Sequence, residues 1–327
     1  MTTVNHKGLE EPRCMPKKIV LAGASGFIGQ YLQKFYGDLG YQVFNITRRQ
    51  RPESSQTQVN WEDTPGIISA LENAQLVVNL AGKSVNCRYT KQNKKLIFSS
   101  RLKTTAKLGE AIASCCHPPA LWVNSSTATI YRHAEDHPMT ETGGEIGSGF
   151  SVEVAKAWEK TFFSFKLPAT RQAALRISIV LGPGGGALPA YTKLVRMGWG
   201  GPQGNGNQRF SWVHIADVAA AIRYIECRHL AGIFNVASPE VMTNRQFMRS
   251  LRQAVKSPLS LPIALPLPGP LLKFGAGIIG TSSELLLKSR WVYPANLLES
   301  GFQFQYPTLK EALGQILGRQ KKSLNSR

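Results

Sequence analysis

The sequence predicts an α/β fold: a doubly wound parallel sheet with helices on both faces, followed by a smaller, mainly helical C-terminal lobe. Three observations predict it. Residues 17–29, KKIVLAGASGFIG, carry an apolar run into glycines spaced three apart, and Ile28, Leu32, Phe35 and Leu39 then recur at helical spacing. Further apolar runs (YQVFNIT at 41–47, LVVNL at 76–80, LWVNSS at 121–126, LRISIVL at 175–181) alternate with helical stretches, the βαβα rhythm of a parallel sheet. From about residue 243 the pattern turns mainly helical.

The first unit reads strand, tight turn, helix, with Gly40 where a helix C-cap stands. Backbone amides at the helix start, aided by the helix dipole, suit an anion. Gly23 permits the turn, Gly26 lets a pyrophosphate approach the backbone, and Gly29 lets the helix pack close. Ser25, Phe27 and Ile28 fill the same turn and join the cofactor-binding set. The second strand decides the cofactor: an acid at its end meets a ribose 2′-hydroxyl, whereas an arginine accommodates a 2′-phosphate. Here it ends Asn45, Ile46, Thr47, Arg48, Arg49, with no acid before Glu53, which favours NADP.

Residues 59–61 read as a short third strand, with Glu62 or Asp63 at its end near the adenine position. The fourth strand, 76–80, leads into Ala81 and Gly82, and a long helix spans about 91–114. The fifth strand covers 121–126, a helix 152–165, and a sixth strand 175–181. GPGGGAL (182–188) is a crossing loop, and residues 194–206 are too rich in glycine for a regular element. SWVHIADVAAAI (211–222) reads as a short strand and a helix with Asp217 as N-cap, and GIFNVA (232–237) as another strand.

The chain has 327 residues, 43% of them apolar, enough for one large domain and an appended lobe. The division expected is a polar tail at 1–14, a dinucleotide-binding domain at 15–185 and 211–240, a substrate lobe at 186–210 and 241–318, and a basic tail at 319–327. Five cysteines lack metal or redox spacing, which points to reduced thiols in a cytoplasmic setting and no metal site. No signal peptide is read at the N-terminus. Residues 259–280 are apolar but hold Pro262, Pro266, Pro268 and Pro270, so no transmembrane segment is assigned. The net charge is +19, with seven Lys or Arg and no acid from Arg88 to Lys107, and a second basic stripe at Arg245, Arg249, Arg252 and Lys256. Such fields attract anions, but no nucleic-acid module accompanies them, so no specific nucleic-acid partner is expected.

GASGFIG, with GxxGxxG spacing, resembles the extended short-chain dehydrogenase/reductases, proteins with a Rossmann NAD(P)-binding fold. NLAGKSVNCRYT, the Trp158–Glu159 pair, RISIVLGPGGGAL, GGPQGNGNQRFSWVHIAD and GFQFQYPTLKEAL narrow the match. Together they are similar to the atypical, epimerase-like SDR39U-type branch with a DUF1731-like C-terminal region. The resemblance implies NADP, a C-terminal substrate lobe, and Leu80, Ala81 and Gly82 beside the cofactor. SSTATIY resembles the SSSATVY text of UDP-galactose 4-epimerases, placing Thr127 at the substrate-positioning Ser/Thr and Tyr131 at a second tyrosine. The family's YxxxK tyrosine is absent: Val152 stands four residues before Lys156, which either keeps the ribose role or pairs with Glu153 or Glu159. Tyr131 is the proton donor nearest in sequence, with Lys156 as a cation to tune it. Arg88, Tyr89, Gln208 and Trp212 are the substrate-side candidates, since an arginine and aromatics suit a ring carrying an anion. His214 reads as a packed core histidine. The expected protein is an NADP-dependent oxidoreductase or epimerase-like enzyme acting on a small, anionic or sugar-like substrate. The alternative is a dinucleotide-binding regulator with little turnover.

Overall fold

The computed structural model describes residues 17–48, 57–255 and 288–324, the last six of these by backbone alone. Arg49, Lys256 and the proline-rich stretch 259–280 lie outside the described residues. In chain order the elements are β1 (Lys18–Ala22), α1 (Phe27–Asp38), β2 (Gln42–Thr47), β3 (Thr57–Asn60), α2 (Thr64–Leu71), β4 (Leu76–Asn79), α3 (Lys91–Ala113) and β5 (Leu121–Thr127). They continue with α4 (Phe150–Phe163), β6 (Arg171–Ile177), β7 (Ile179–Gly182), β8 (Gly185–Gly186), α5 (Leu188–Arg196), β9 (Trp212–His214) and α6 (Ile215–Cys227). The last are β10 (Gly232–Val236), α7 (Asn244–Val255), α8 (Ala295–Glu299) and α9 (Leu309–Leu324).

Seven strands form one parallel sheet in the order β10-β6-β5-β4-β1-β2-β3. The chain winds outward from β1 to β2 and β3 on one side, then returns to place β4 on the other. That reversal is the switch point of a doubly wound sheet, where a crevice opens outside the carboxyl ends of the strands. Alternate side chains of each strand feed opposite faces. Ile19 and Leu21 pack with Leu32, Tyr36 and Ile222 of α1 and α6. Val20 and Ala22 pack with Leu71, Leu108, Ile112, Trp122 and Phe162 of the other layer. Each fully buried Leu or Ile contributes about 1.5–3 kcal/mol, so a sheet covered on both faces is a rigid base for the loops at its edge.

Residues 175–181 do not form one strand. Ser178 breaks the run, both its amide and its hydroxyl donating to the Val236 carbonyl at 3.0 Å. β6 stays in the large sheet, while β7 leaves it to pair with β9 and β8 in a second sheet of three strands. Beyond it the lobe has its own core, with Leu181, Leu188, Tyr191, Trp212, Leu251 and Leu313 packed around the Phe210 and Phe247 rings, stacked at 4.0 Å. The basic stripe on α7 faces its own lobe in part: Arg245 donates to the Asn205 carbonyl at 2.9 Å and Arg252 to that of Gly200. α5 begins with a proline in its first turn and ends at Arg196 with Met197 as its C-cap, so the glycine-rich irregular stretch starts only at Gly198.

The cap of α6 is also not the one expected. His214 caps it, Nδ1 accepting the Ala216 amide at 3.1 Å, while its ring packs on Tyr306 at 4.0 Å. Asp217 is fully buried and accepts the amides of Gln305 and Tyr306 at 2.6 and 3.1 Å, pinning the segment before α9 onto α6. Burial pushes its carboxyl up to about 6, against the pull of those two amides. A raised folded-state value means that Asp217 contributes stability fully below about pH 4 and loses it as the pH rises through about 6. At about 1.4 kcal/mol per unit the change is at most about 3 kcal/mol. Denaturant unfolding between pH 4 and 7 should show this decline, and Asp217→Asn should remove it; a decline that persists in the variant assigns it to another group.

Candidate active site

The carboxyl edge of the large sheet gathers the turn after β1, the chain leaving β4 and the end of β5. Gly23 lies at φ +84°, and a Cβ there would meet the Leu80 carbonyl carbon at 2.7 Å and the Ala81 nitrogen at 2.8 Å. A Cβ on Gly29 would meet Ala24 Cα and the Gly23 oxygen, both at 2.6 Å. These two glycines are therefore demanded by backbone packed against backbone. Gly26 differs. Its amide closes the turn onto the Gly23 oxygen at 3.1 Å, its φ of −78° suits any residue, and a Cβ would meet only that oxygen, at 3.5 Å. Among the described residues no atom requires glycine there, at the start of α1.

That helix start has no side-chain cap and no acid in its first turn. The amides of its first residues have no partner further back in the helix, so they are available to an anion. Gln33 and Gln30 brace the turn from behind, donating to the Ala24 and Ser25 carbonyls at 2.6 and 3.1 Å. Ile28 packs on the core. The Phe27 ring turns away from the sheet edge: a Cβ on Gly182 or Gly186 would meet it at 2.9 or 2.8 Å, and one on Gly185 would overlap it. The glycines of the crossing loop thus receive Phe27, whose contribution to the edge is its backbone amide. Ala81 is oriented by Asn79, whose Oδ1 accepts its amide at 3.1 Å.

Arg48 is exposed in the bend directly after β2, beside the turn. Asp63 is not free for an adenosine: it caps α2 by accepting the Gly66 amide at 2.9 Å.

Thr127 ends β5, half-exposed, its hydroxyl oxygen accepting the Thr129 amide at 3.2 Å. Its own proton meets no acceptor among the described residues. Tyr131 does not stand open beside the cofactor position. It is 2% exposed, its hydroxyl donating to Asn235 at 2.8 Å and accepting from Arg176 at 2.9 Å. Burial raises its pKa in spite of Arg176, so it is a weaker acid than a free phenol. Nor is Lys156 its cation. Lys156 is on the exposed face of α4, paired with Glu153 at 3.3 Å, and Val152 is fully buried. Glu159 instead takes Arg176 through both carboxylate oxygens, at 2.9 and 2.8 Å, and accepts the Ser126 hydroxyl at 2.6 Å.

Of the substrate candidates, Arg88 and Tyr89 follow β4 at the same edge, Arg88 exposed and Tyr89 edge-on to Phe150 at 5.2 Å. Gln208 and Trp212 are elsewhere. Trp212 is fully buried in the lobe core, and Gln208, 5% exposed, spends its amide on the Gln203 carbonyl at 2.9 Å. Neither offers a surface to a ligand. Arg101 of α3 was not among the candidates, yet it lies against Gly82, where a Cβ would meet its Cζ at 3.1 Å. Its sequence signal was its spacing: it falls four residues from each of the buried Ile97 and Thr105, on the inner face of a basic helix.

Residues 19–237 match the NAD dependent epimerase/dehydratase family and residues 267–316 the domain of unknown function DUF1731. The chain belongs to this epimerase family. Proteins of the SDR39U1 type are matched over nearly their whole length. Epimerase family protein SDR39U1 of Bos taurus is 32% identical over 314 residues, covering 92% of this chain and 99% of that protein. The Mus musculus protein is 30% identical over 309 residues with the same coverage. The crystal structure of human SDR39U1 isoform 2 with NADPH superposes with a TM-score of 0.81 at 28% identity, covering 92% of this chain and 99% of that one. Among the described residues, no helix of this epimerase-family chain is long and apolar enough to cross a membrane.

Two substitutions separate ligand demands from packing demands. Gly26→Val should fold normally by circular dichroism yet lose dinucleotide binding, whereas Gly29→Ala should lower the melting temperature; normal binding by Gly26→Val would move the phosphate site elsewhere. Tyr131→Phe removes a hydroxyl that satisfies two buried groups, so it should cost about 1 kcal/mol or more in denaturant unfolding while NADPH affinity stays unchanged.

Proposed function

We propose that this protein binds NADP(H) across the carboxyl ends of β1, β2 and β4 and acts as an oxidoreductase or epimerase-like enzyme on a small anionic substrate held under the C-terminal lobe. The carrying observation is the turn at Gly23, Gly26 and Gly29: two glycines are fixed by packing, while the third leaves a backbone cradle that a Cβ would fill. The first amides of α1 would hold the pyrophosphate. Leu80, Ala81 and Gly82 would line the dinucleotide, and Arg48 with Arg49 would meet the 2′-phosphate. The NADPH carried by human SDR39U1 supports the choice of phosphorylated cofactor. In this reading residues 15–185 and 211–240 carry the dinucleotide, and 186–210 with 241–318 form the substrate lobe.

The bound nicotinamide would supply or accept hydride. Thr127, whose oxygen is already satisfied by the Thr129 amide, would donate its proton to the substrate oxygen and orient it. Tyr131 would hold the end of β5 in place through Arg176 and Asn235 and take no part in proton transfer. Arg88 and Tyr89 would meet the substrate at the mouth, and Lys156 would reach the ribose only by leaving Glu153. A second reading, a dinucleotide-binding regulator with little or no turnover, is favoured by one observation: Val152, fully buried, stands where a reductase would carry its tyrosine.

Calorimetry should find NADPH bound at least about tenfold more tightly than NADH, roughly 1.4 kcal/mol, with Arg48→Ala and Arg49→Ala together erasing the gap. Equal affinities in the unaltered protein would overturn the cofactor choice. Loss of reduced-nicotinamide absorbance when carbonyl compounds are added separates the enzyme from the regulator.

A further inference from the structure

Arg101 is half-buried between α3 and α4. Its Nη1 donates to the Lys83 carbonyl at 3.0 Å and to the Ile97 carbonyl at 3.1 Å. Those two bonds use both protons of Nη1. Nε and Nη2, the side of the fork that takes a carboxylate or phosphate in a bidentate pair, have no hydrogen-bond partner among the described residues. No carboxylate among them forms an ion pair with Arg101; burial pulls its pKa down, and the group that opposes this is the Tyr89 phenol. Compare Arg176, more deeply buried at 6% exposed, which is paired through both carboxylate oxygens with Glu159. A guanidinium withdrawn from water without a counter-charge is costly to maintain, and an anion brought to it recovers that cost.

The fork is also held still. Its Cζ lies 5.1 Å from the centre of the Trp158 ring. The indole is itself fixed, Nε1 donating to Thr105 Oγ1 at 2.8 Å. Thr105 accepts from Asn79 at 2.9 Å, and Asn79 donates to Asn124 at 2.8 Å, so the platform is tied to the ends of β4 and β5. Beside it, Lys94 stands 5.1 Å over the Phe150 ring that Tyr89 meets edge-on. The wall is cationic and aromatic, and the chain supplies no acid from Arg88 to Lys107. Topology separates this wall from the phosphate turn. α3 follows β4 and α4 follows β5, so Arg101 flanks the β4 and β5 ends, whereas the glycine turn belongs to β1 and α1.

We propose that Arg101, presented on the Trp158 indole beside Gly82, is the anion-recognition residue of the substrate site, its Nε and Nη2 receiving a phosphate or carboxylate group of the substrate at the ends of β4 and β5. This rests on the reading above for the position of the nicotinamide end, and it names the substrate class: a molecule carrying an acid group close to its reacting carbon.

The test is calorimetric titration of the NADPH-saturated full-length protein with inorganic pyrophosphate and, separately, with citrate; whichever of the two binds identifies the acid group. Arg101→Met should weaken that binding about tenfold or more, and Arg101→Lys should fall between, keeping the charge but not the fork. NADPH affinity and melting temperature should hold in both variants. Unchanged anion affinity in Arg101→Met, or no anion binding by the unaltered protein, would overturn the proposal. A parallel fall in NADPH affinity would overturn it as well, because the fork would then read the cofactor. Titration with NADPH alone decides the cofactor reading. The Arg101 effect is a difference between variants, in which any pyrophosphate site common to all of them cancels, so each idea can fail without the other.

Discussion

The edge of this sheet depends on how closely the turn after β1 approaches the chain leaving β4. Gly23 touches the Leu80–Ala81 peptide with no room for a single methyl group, and its φ of +84° disfavours other residues independently. From that contact the rest follows. The turn lies flat against β4, so α1 must start close to the sheet, which Gly29 allows by meeting Ala24 and Gly23 backbone without a side chain. With α1 so placed, the Phe27 ring projects into the loop between β7 and β8, where Gly182, Gly185 and Gly186 leave space for it. Phe27 thereby couples the glycine turn to the sheet that carries the lobe. A shift at either end would have to pass through this ring, because packed interiors do not deform continuously.

Two buried polar networks hold the other side of the cleft, and the adjacent pair Trp158–Glu159 serves one each. Trp158 joins Thr105, Asn79 and Asn124, the last two being register partners on β4 and β5. Glu159 joins Ser126 and Arg176, and through Arg176 reaches Tyr131 and Asn235 on β10. Buried polar groups cost free energy unless paired, so each network specifies one arrangement of its strands. The Glu159–Arg176 pair, at most 10% exposed, has the geometry in which loss of one partner costs about 3–5 kcal/mol. These networks fix the ends of β4, β5 and β6 and leave Thr127 and Arg101 half-exposed beside them.

What could be read in the sequence was whatever leaves a periodic or steric mark. The parallel sheet shows in apolar runs, and the glycine turn shows because Gly23 and Gly29, pressed against backbone, tolerate no substitute. The split at Ser178 left no such mark, since β6 and β7 are both apolar and only their partners differ. His214 and Asp217 exchanged roles for a similar reason: either side chain can cap a helix, and the deciding acceptors of Asp217 come from residues 305 and 306, far along the chain. Trp212 and Gln208 were attractive by residue type, but residue type does not say which face of β9 is covered, and the lobe core claims Trp212 entirely. Arg101 shows the opposite error. Within a run of seven cations it looked like one more surface charge, and only its phase on α3 set it apart.

These placements constrain the chemistry. A reductase tyrosine works because a nearby cation lowers its pKa and because its hydroxyl faces the substrate. Here the position on α4 is Val152, and Tyr131 has its hydroxyl committed at both lone pair and proton while burial raises its pKa. Thr127 can hydrogen-bond an oxygen, but an aliphatic hydroxyl keeps its proton near neutrality and transfers none. A hydride step without a phenol is easiest when the charge developing on the substrate is met by a fixed positive group, the preorganised electrostatic stabilisation that often dominates catalysis. Arg101 remains charged at any accessible pH, lies over Trp158, and has Nε and Nη2 without a hydrogen-bond partner among the described residues. On the reading proposed above, a chain with Val152 at the reductase tyrosine position carries, on the neighbouring helix, a cation that would need no proton transfer to act.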